Sequence, residues 1–313
     1  MSEEQRTSES FRCGYVAIIG EPNVGKSTLM NTLLRQKISI VTPKAQTTRH
    51  KILGILSTEE YQMIFLDTPG IIKPKYLLQE VMMEFASSAI QDADVLLFMI
   101  DATKPGTDSA LAHAEAFSKL SGLKKPVYLV INKVDAVEKN DVLPVIDFYS
   151  KAFAFKEIFP ISALKSDGTK ELLSSVAKIL PEHPPFFPTD IVSEHSERFF
   201  VSEIIREKIF LATKEEIPYS TTVDIIEFKE REAGLPAGRR AKTFISADIY
   251  VERDSQKGIV IGKKGAMLKE IGAKARKDIE AFLQHPVFLE LHVKVQKEWR
   301  ESKSALERLG YKS

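Results

Sequence analysis

Four short segments of this 313-residue chain carry residue types suited to binding a nucleoside triphosphate and a divalent ion. They are Gly20-Glu21-Pro22-Asn23-Val24-Gly25-Lys26-Ser27-Thr28, Thr47-Thr48, Asp67-Thr68-Pro69-Gly70-Ile71 and Asn132-Lys133-Val134-Asp135. The first matches GxxxxGK[ST], follows the apolar run Tyr15 to Ile19 and opens a helical pattern, which is the strand-loop-helix setting that the motif requires. Gly20 and Gly25 let the loop fold back so that its backbone N–H groups face phosphate oxygens, with the positive end of the next helix behind them. Lys26 is a point charge for the β and γ phosphates, and Ser27 is a ligand for Mg²⁺. Asp67 ends the apolar run Met63 to Leu66 and brings a carboxylate near that ion, while Gly70 offers a backbone N–H to the γ phosphate. Thr48 lies in the polar stretch 42–50, between these two segments. There it can close over metal and γ phosphate only while that phosphate exists, so the stretch reads as a hydrolysis-sensitive switch. The metal set is therefore Ser27, Thr48 and Asp67, and the catalytic set includes Lys26, Thr48 and Gly70.

Base choice is read from Asn132 to Asp135, directly after the apolar run Val127 to Ile131. The Asp135 carboxylate can accept from both the ring imino N–H and the exocyclic amine of guanine, and adenine offers no such donor pair. Sites built on bonds of this kind reject the analogue lacking them by roughly 10⁴ or more. Lys133 lays its stem over the base and Asn132 ties the segment to the phosphate loop. Ser162-Ala163-Leu164 supplies a backbone N–H for the guanine carbonyl. Ile71 stands where Ras-like proteins carry the glutamine that orients the attacking water, and an aliphatic side chain cannot polarise water.

The elements that must position these groups follow from periodicity. Strands are expected near 15–19, 52–57, 61–66, 95–100, 127–131 and 157–160, and helices near 26–35, 77–91, 108–120, 141–151 and 169–179. The alternation gives an α/β fold, a mostly parallel sheet with helices on both faces, and the motifs then fall at its carboxyl edge. Residues 181–188 hold four prolines in eight positions and read as a stiff linker. Phe186-Phe187 is expected to anchor it against a domain. The expected organisation is a flexible arm over 1–13, a nucleotide-binding domain over 14–181, a linker over 182–195 and a second domain over 196–313. That second domain reads as α+β: a helix near 196–213, strands near 221–229 and 242–252, helical segments either side of 262–265, a strand over 287–295 and a helix over 298–308.

Within it, Ile261-Gly262-Lys263-Lys264-Gly265, with Met267 and Lys269 following, forms a GxxG loop between two helical segments. Its glycines allow a phosphodiester chain close to the backbone and its lysines neutralise that chain. In the order strand-strand-helix-helix-strand this suits a KH module that binds single-stranded RNA. Net charge is only +1, yet residues 253–277 hold eight basic against two acidic side chains. Such a patch fits a polyanion, or simply a solvated helix face. The 43% apolar and 28% charged content is that of a water-soluble globular chain. The single cysteine, Cys13, excludes an internal disulfide and reads as an inert residue. The polar start MSEEQRTSES has no apolar signal core, no segment approaches the length of a membrane span, and a reducing cytoplasmic compartment is expected. The six histidines show no ligand spacing, and Trp299 and Tyr311 read as packing residues.

The segments GEPNVGKS, QTTRH, DTPGI, NKVD and VIGKKG, in this order and over nearly the whole length, resemble those of the Era family of bacterial GTPases, with a type II KH domain after the P-loop GTPase domain. The resemblance implies GTP hydrolysis to GDP and phosphate, and RNA binding near the 3′ end of small-subunit ribosomal RNA. It also implies assistance to 30S subunit assembly and partial peripheral association with the inner face of the cell membrane. A monomer is expected. Related GTPases with an asparagine at the position of Asn23 use it to hold K⁺ beside the phosphates; the alternative is that Asn23 only stabilises the loop turn. An RNA-binding factor whose GTPase domain senses nucleotide with little hydrolysis is the competing reading. A signalling GTPase would lack the GxxG domain, and a relative with two GTPase domains would need a second phosphate loop.

Overall fold

The computed structural model describes residues 11–104, 120, 122–229 and 242–311. They form two compact units. The first holds most of the chain up to Glu194. The second comprises 40–47, 73–82 and 195–313.

The first unit is built on a six-stranded sheet in the order β2-β3-β1-β4-β5-β6. Its strands are β1 (Arg12–Gly20), β2 (Ile52–Ser57), β3 (Tyr61–Asp67), β4 (Val95–Asp101), β5 (Val127–Asn132) and β6 (Ile158–Pro160). Only β2 runs antiparallel, against β3. Every residue of β4 and β5 is buried, as expected of parallel strands covered on both faces. Helices α1 (Lys26–Leu34), α3 (Lys139–Ala152) and α4 (Thr169–Ile179) accompany the strands, with α2 (Leu77–Asp92) from Met83 onward. The helix expected over 108–120 falls, but for residue 120, outside the described residues. β1 begins earlier than expected, so Arg12 and Cys13 belong to the sheet and not to an arm. Cys13 is fully buried there.

The proline-rich stretch differs from a free linker: residues 182–194 belong to the first unit. Gln62, fully buried, accounts for much of this. Its Oε1 accepts from the backbone N–H groups of Phe186 (2.9 Å) and Phe187 (3.0 Å), and its Nε2 donates to the Phe187 carbonyl (2.8 Å). The Phe186 ring stacks on Tyr15, and further along Ile55 donates its N–H to the Val192 carbonyl at 2.7 Å. Proline lacks a backbone donor, and a buried glutamine with both donor and acceptor can fix the two neighbouring residues that do have one.

The second unit carries a three-stranded sheet, β7 (Thr222–Lys229), β8 (Thr243–Val251) and β9 (Val287–Val295), with β8 central, antiparallel to β7 and parallel to β9. Its helices are α5 (Glu197–Ala212), α6 (Ile217–Ser220), α7 (Asp254–Ile261), α8 (Ala266–Leu283) and α9 (Lys303–Arg308). In α8, Ile271, Ala275, Ile279 and Leu283 recur every fourth residue and are all buried. They share a core with Ile245, Ala247, Ile249 and Val251, the alternate residues of β8, which is how a helical stripe meets one face of a sheet. Ser196 starts α5 by accepting from the Phe199 N–H. The last helix is shorter than expected because Glu298 adopts a left-handed φ of 52°, and helix resumes only after Ser302, which accepts from the Ala305 N–H. Trp299 and Tyr311 are buried packing residues: Trp299 Nε1 donates to the Ser220 carbonyl at 2.9 Å and Tyr311 bonds Thr222 at 3.0 Å.

Candidate nucleotide site and nucleic-acid interface

The phosphate loop follows β1, where the chain order of the sheet reverses and where doubly wound folds form their ligand crevice. Two glycines are sterically obligatory. Gly20 has φ +148° and a Cβ there would lie 2.2 Å from the Met99 carbonyl oxygen; Gly25 has φ +105° and a Cβ would lie 2.3 Å from Asn132 Nδ2. Lys26 is buried beneath the loop, with its ammonium donating to the carbonyls of Glu21 (2.9 Å) and Gly20 (3.2 Å). Burial lowers its pKa to about 8, against the pull of Asp67 and Glu21. A cation held in so dry a site, satisfied only by carbonyls, is one that arriving phosphates would stabilise. Ile71 N–H donates to the Gly20 carbonyl at 3.0 Å, and Thr68 Oγ1 to the Ile18 carbonyl at 2.9 Å, which fixes 67–71 against the loop.

The three residues expected to hold a metal come together. Ser27 Oγ lies 2.6 Å from Asp67 Oδ2 and 2.9 Å from Thr48 Oγ1. Ser39, which sequence reasoning missed, also donates to Asp67 Oδ2, at 2.8 Å. Its backbone is in turn pinned by Asn31, whose Oδ1 accepts from Ile38 and Ser39 and whose Nδ2 donates to the Ser39 carbonyl. Asp67 Oδ1 is buried and has no hydrogen-bond partner. A fully buried carboxylate with one oxygen unsatisfied, beside the hydroxyls of Ser27, Thr48 and Ser39, is an all-oxygen donor set that fits Mg²⁺. Burial pushes the Asp67 pKa upward, and a cation would oppose that.

At the base end, Asn132 is buried and bonds in two directions: Nδ2 donates to the Val24 carbonyl (2.8 Å) and Oδ1 accepts from the Ala163 N–H (2.9 Å). One amide thus joins the phosphate loop, the Asn132–Asp135 segment and Ser162-Ala163. Thr32 Oγ1 of α1 donates to the Ala163 carbonyl (2.8 Å). Asp135 is held below the usual carboxylate range, first by the Ser162 hydroxyl and then by Lys165, whose ammonium is 3.7 Å away. It is therefore ionised and poised to accept. Leu164 is exposed. Asn23 is exposed at the loop tip with a left-handed φ of 65°. Ile71 is half-buried and packs on the core.

A family profile described as a 50S ribosome-binding GTPase matches residues 15–133, and a KH-domain profile matches 216–300. GTPase Era of Geobacter metallireducens is 50% identical over 302 residues, spanning 96% of this chain and 98% of that protein. This chain belongs to the Era family of GTPases. It hydrolyses GTP. Era of Lacticaseibacillus paracasei is 47% identical over 298 residues, 95% of this chain and 96% of that one. Among solved structures, a single-residue variant of Aquifex aeolicus Era bound to GDP·AlF4⁻ superposes with a TM-score of 0.88 at 43% identity. An Era complex with MgGDPNP and nucleotides 1506–1542 of 16S ribosomal RNA gives 0.90 at 44%. Each alignment covers 97% of this chain and all of the other. The expected fold, a P-loop GTPase domain followed by a KH domain, is thereby established. No helix among the described residues is long and apolar enough to cross a membrane.

In the KH unit the GxxG loop joins α7 to α8. Gly262 has φ +73° and a Cβ would lie 2.6 Å from Met267 Cβ, whereas Gly265 (φ +79°) faces open space, so its requirement is conformational alone. Lys263 and Lys264 are exposed, and Lys264 is left-handed (φ 52°). Beside the loop runs a groove of about 500 Å³ lined by Gly265, Leu268, Lys269, Gly272, Ala273 and Arg276 of the loop and α8, with Leu289 and Leu291 of β9. Of the seven residues expected here, Gly265 and Lys269 line the groove and Gly262, Lys263 and Lys264 form the loop. Ile261 and Met267 are partly buried and pack against the core, as do Leu268, Leu289 and Leu291 of the groove. The four-residue spacing of Leu268, Gly272 and Arg276 was legible as a helix face. Leu289 and Leu291 carried no signal, since alternate apolar residues in a strand look the same on a core face.

Proposed function

We propose that this chain is a GTP-driven switch that binds the 3′ region of small-subunit ribosomal RNA through its KH unit and assists 30S assembly. The observation that carries this is the likeness, at 44% identity over 97% of the chain, to a relative solved with MgGDPNP and 16S nucleotides 1506–1542, together with the groove beside Lys263 and Lys264. In this reading residues 14–181 bind nucleotide and 196–313 bind RNA. Loop amides 20–28 and Lys26 cradle the phosphates, Gly70 donates to the γ phosphate, and Asn132–Asp135 with Ser162–Leu164 receive guanine. Ser27, Thr48 and Asp67 would hold Mg²⁺, which neutralises phosphate charge when bound. Thr48, beside Ser27, is the group whose position depends on the γ phosphate.

With Ile71 unable to orient water, Asn23 is proposed to hold K⁺. Its amide oxygen at the exposed loop tip and the phosphate oxygens of the substrate form a hard donor set suited to that ion. The chain acts as a cytoplasmic monomer with partial peripheral contact with the inner membrane face. The direct test is GTP turnover with and without 30S subunits, beside binding of a 16S 3′ fragment by fluorescence anisotropy across a salt series. Replacing Lys263 and Lys264 by Asp should weaken binding by more than ~1 kcal/mol at low salt, because phosphate contacts release counterions. Unchanged affinity would remove the KH unit as the RNA reader.

A further inference from the structure

β4 ends in a buried carboxylate, Asp101, outside the phosphate, metal and base segments. Asp101 is aligned with Asn132 in the parallel register of β4 and β5, and the Ala102 N–H donates to the Asn132 carbonyl at 2.8 Å, so the two strand ends are locked together. Its side chain is 4% exposed. One oxygen, Oδ1, accepts from both the backbone N–H (3.0 Å) and the hydroxyl (2.7 Å) of Thr103. The other, Oδ2, receives the Lys133 ammonium at 2.6 Å. Lys133 itself has a left-handed backbone, φ 66°.

We infer that Asp101 is a positioning residue for guanine-nucleotide binding: by gripping the Lys133 ammonium it lays the lysine stem over the base position before any nucleotide arrives. The inference rests on the reading of Asn132–Asp135 as the base site. A free lysine on a loop samples many rotamers, and ordering it on binding weakens affinity; a stem already ordered by a fixed carboxylate removes that cost. Thr103 makes the carboxylate a fixed one, because two donors hold Oδ1 and leave Oδ2 aimed at Lys133. Burial alone would raise the Asp101 pKa, yet the Lys133 and Thr103 bonds outweigh it and leave the group below the usual carboxylate range, hence charged.

The experiment measures dissociation of a fluorescent GDP from the full chain by stopped flow, for Asp101→Asn, Lys133→Met and the double variant. Lys133→Met keeps the stem and removes the charge. Asp101→Asn should speed dissociation about five-fold, the size of a strong but partly screened ion pair. Added to Lys133→Met it should change nothing. Thr103→Val, which leaves the carboxylate in place but loosens it, gives a smaller acceleration that also vanishes beside Lys133→Met. The inference is overturned if Asp101→Asn and Thr103→Val leave dissociation unchanged, or if either accelerates it equally in the Lys133→Met background. Asp135→Asn, assayed for exchange of GTP for xanthosine triphosphate, separates the failures. No exchange removes the base-site reading itself, whereas exchange with a silent Asp101 removes only its positioning role.

Discussion

Replacing Asn132 by Ala should damage folding and nucleotide binding together. The side chain is 3% exposed and makes two bonds of good length, 2.8 Å to the Val24 carbonyl and 2.9 Å from the Ala163 N–H. Truncation leaves both backbone groups buried without a partner. Each orphan costs about 1–3 kcal/mol, so the nucleotide-free protein should lose about 2–6 kcal/mol. The space vacated beside Gly25, where Nδ2 approaches within 2.3 Å of a hypothetical Cβ, adds a packing loss in the same direction. Asn132→Asp is the informative companion. It keeps an acceptor for Ala163 but presents a carboxylate to the Val24 carbonyl, so it should be at least as destabilising despite equal volume. Urea unfolding of nucleotide-free protein by circular dichroism measures the loss, and titration with a fluorescent GDP measures the fall in affinity. A change below about 0.5 kcal/mol for the alanine variant, the range of ordinary surface substitutions, would refute the claim that one amide holds three segments together.

Other expectations follow from the nucleotide site and the GxxG loop. Lys26→Met should abolish hydrolysis yet stabilise the nucleotide-free form at pH 7, because burial lowers the folded pKa from 10.5 to about 8. Since the unfolded chain then binds the proton more tightly, parent stability rises as pH goes from about 8 to 10.5; the variant's advantage should shrink over that window, as pH-dependent unfolding would show. Asp135→Asn should weaken GTP and improve xanthosine triphosphate, because the amide can donate to the added carbonyl; nucleotide titration checks the exchange. Hydrolysis should be faster in K⁺ than in Na⁺ at equal ionic strength, and Asn23→Ala should abolish the difference; equal parent rates in the two salts would end the potassium proposal. Gly262→Ala should destabilise the KH unit, since its Cβ would meet Met267 at 2.6 Å in a left-handed backbone, whereas Gly265→Ala meets no atom within 4 Å and costs only about 1 kcal/mol of backbone strain, measurable by thermal unfolding.

The sequence by itself determined the order of elements and the chemistry of the nucleotide motifs, because both are local. A strand such as Val287–Val295 carries its period in consecutive residues, and the phosphate loop needs its glycines and Lys26 within one turn of chain. The carboxylate of Asp67 was legible because it ends an apolar strand. Only the tertiary structure decided which distant groups complete those motifs. Sheet register sets Asp101 beside Asn132 across 31 positions of chain, and folding brings Ser39 to Asp67 and Ala163 to Asn132. The stretch 182–194 likewise looks like a spacer in composition, yet Gln62, more than 120 residues earlier, supplies the donor and acceptor that bind it down. A polar residue within an apolar strand announces that it needs a partner; which partner it finds depends on contacts that periodicity does not encode.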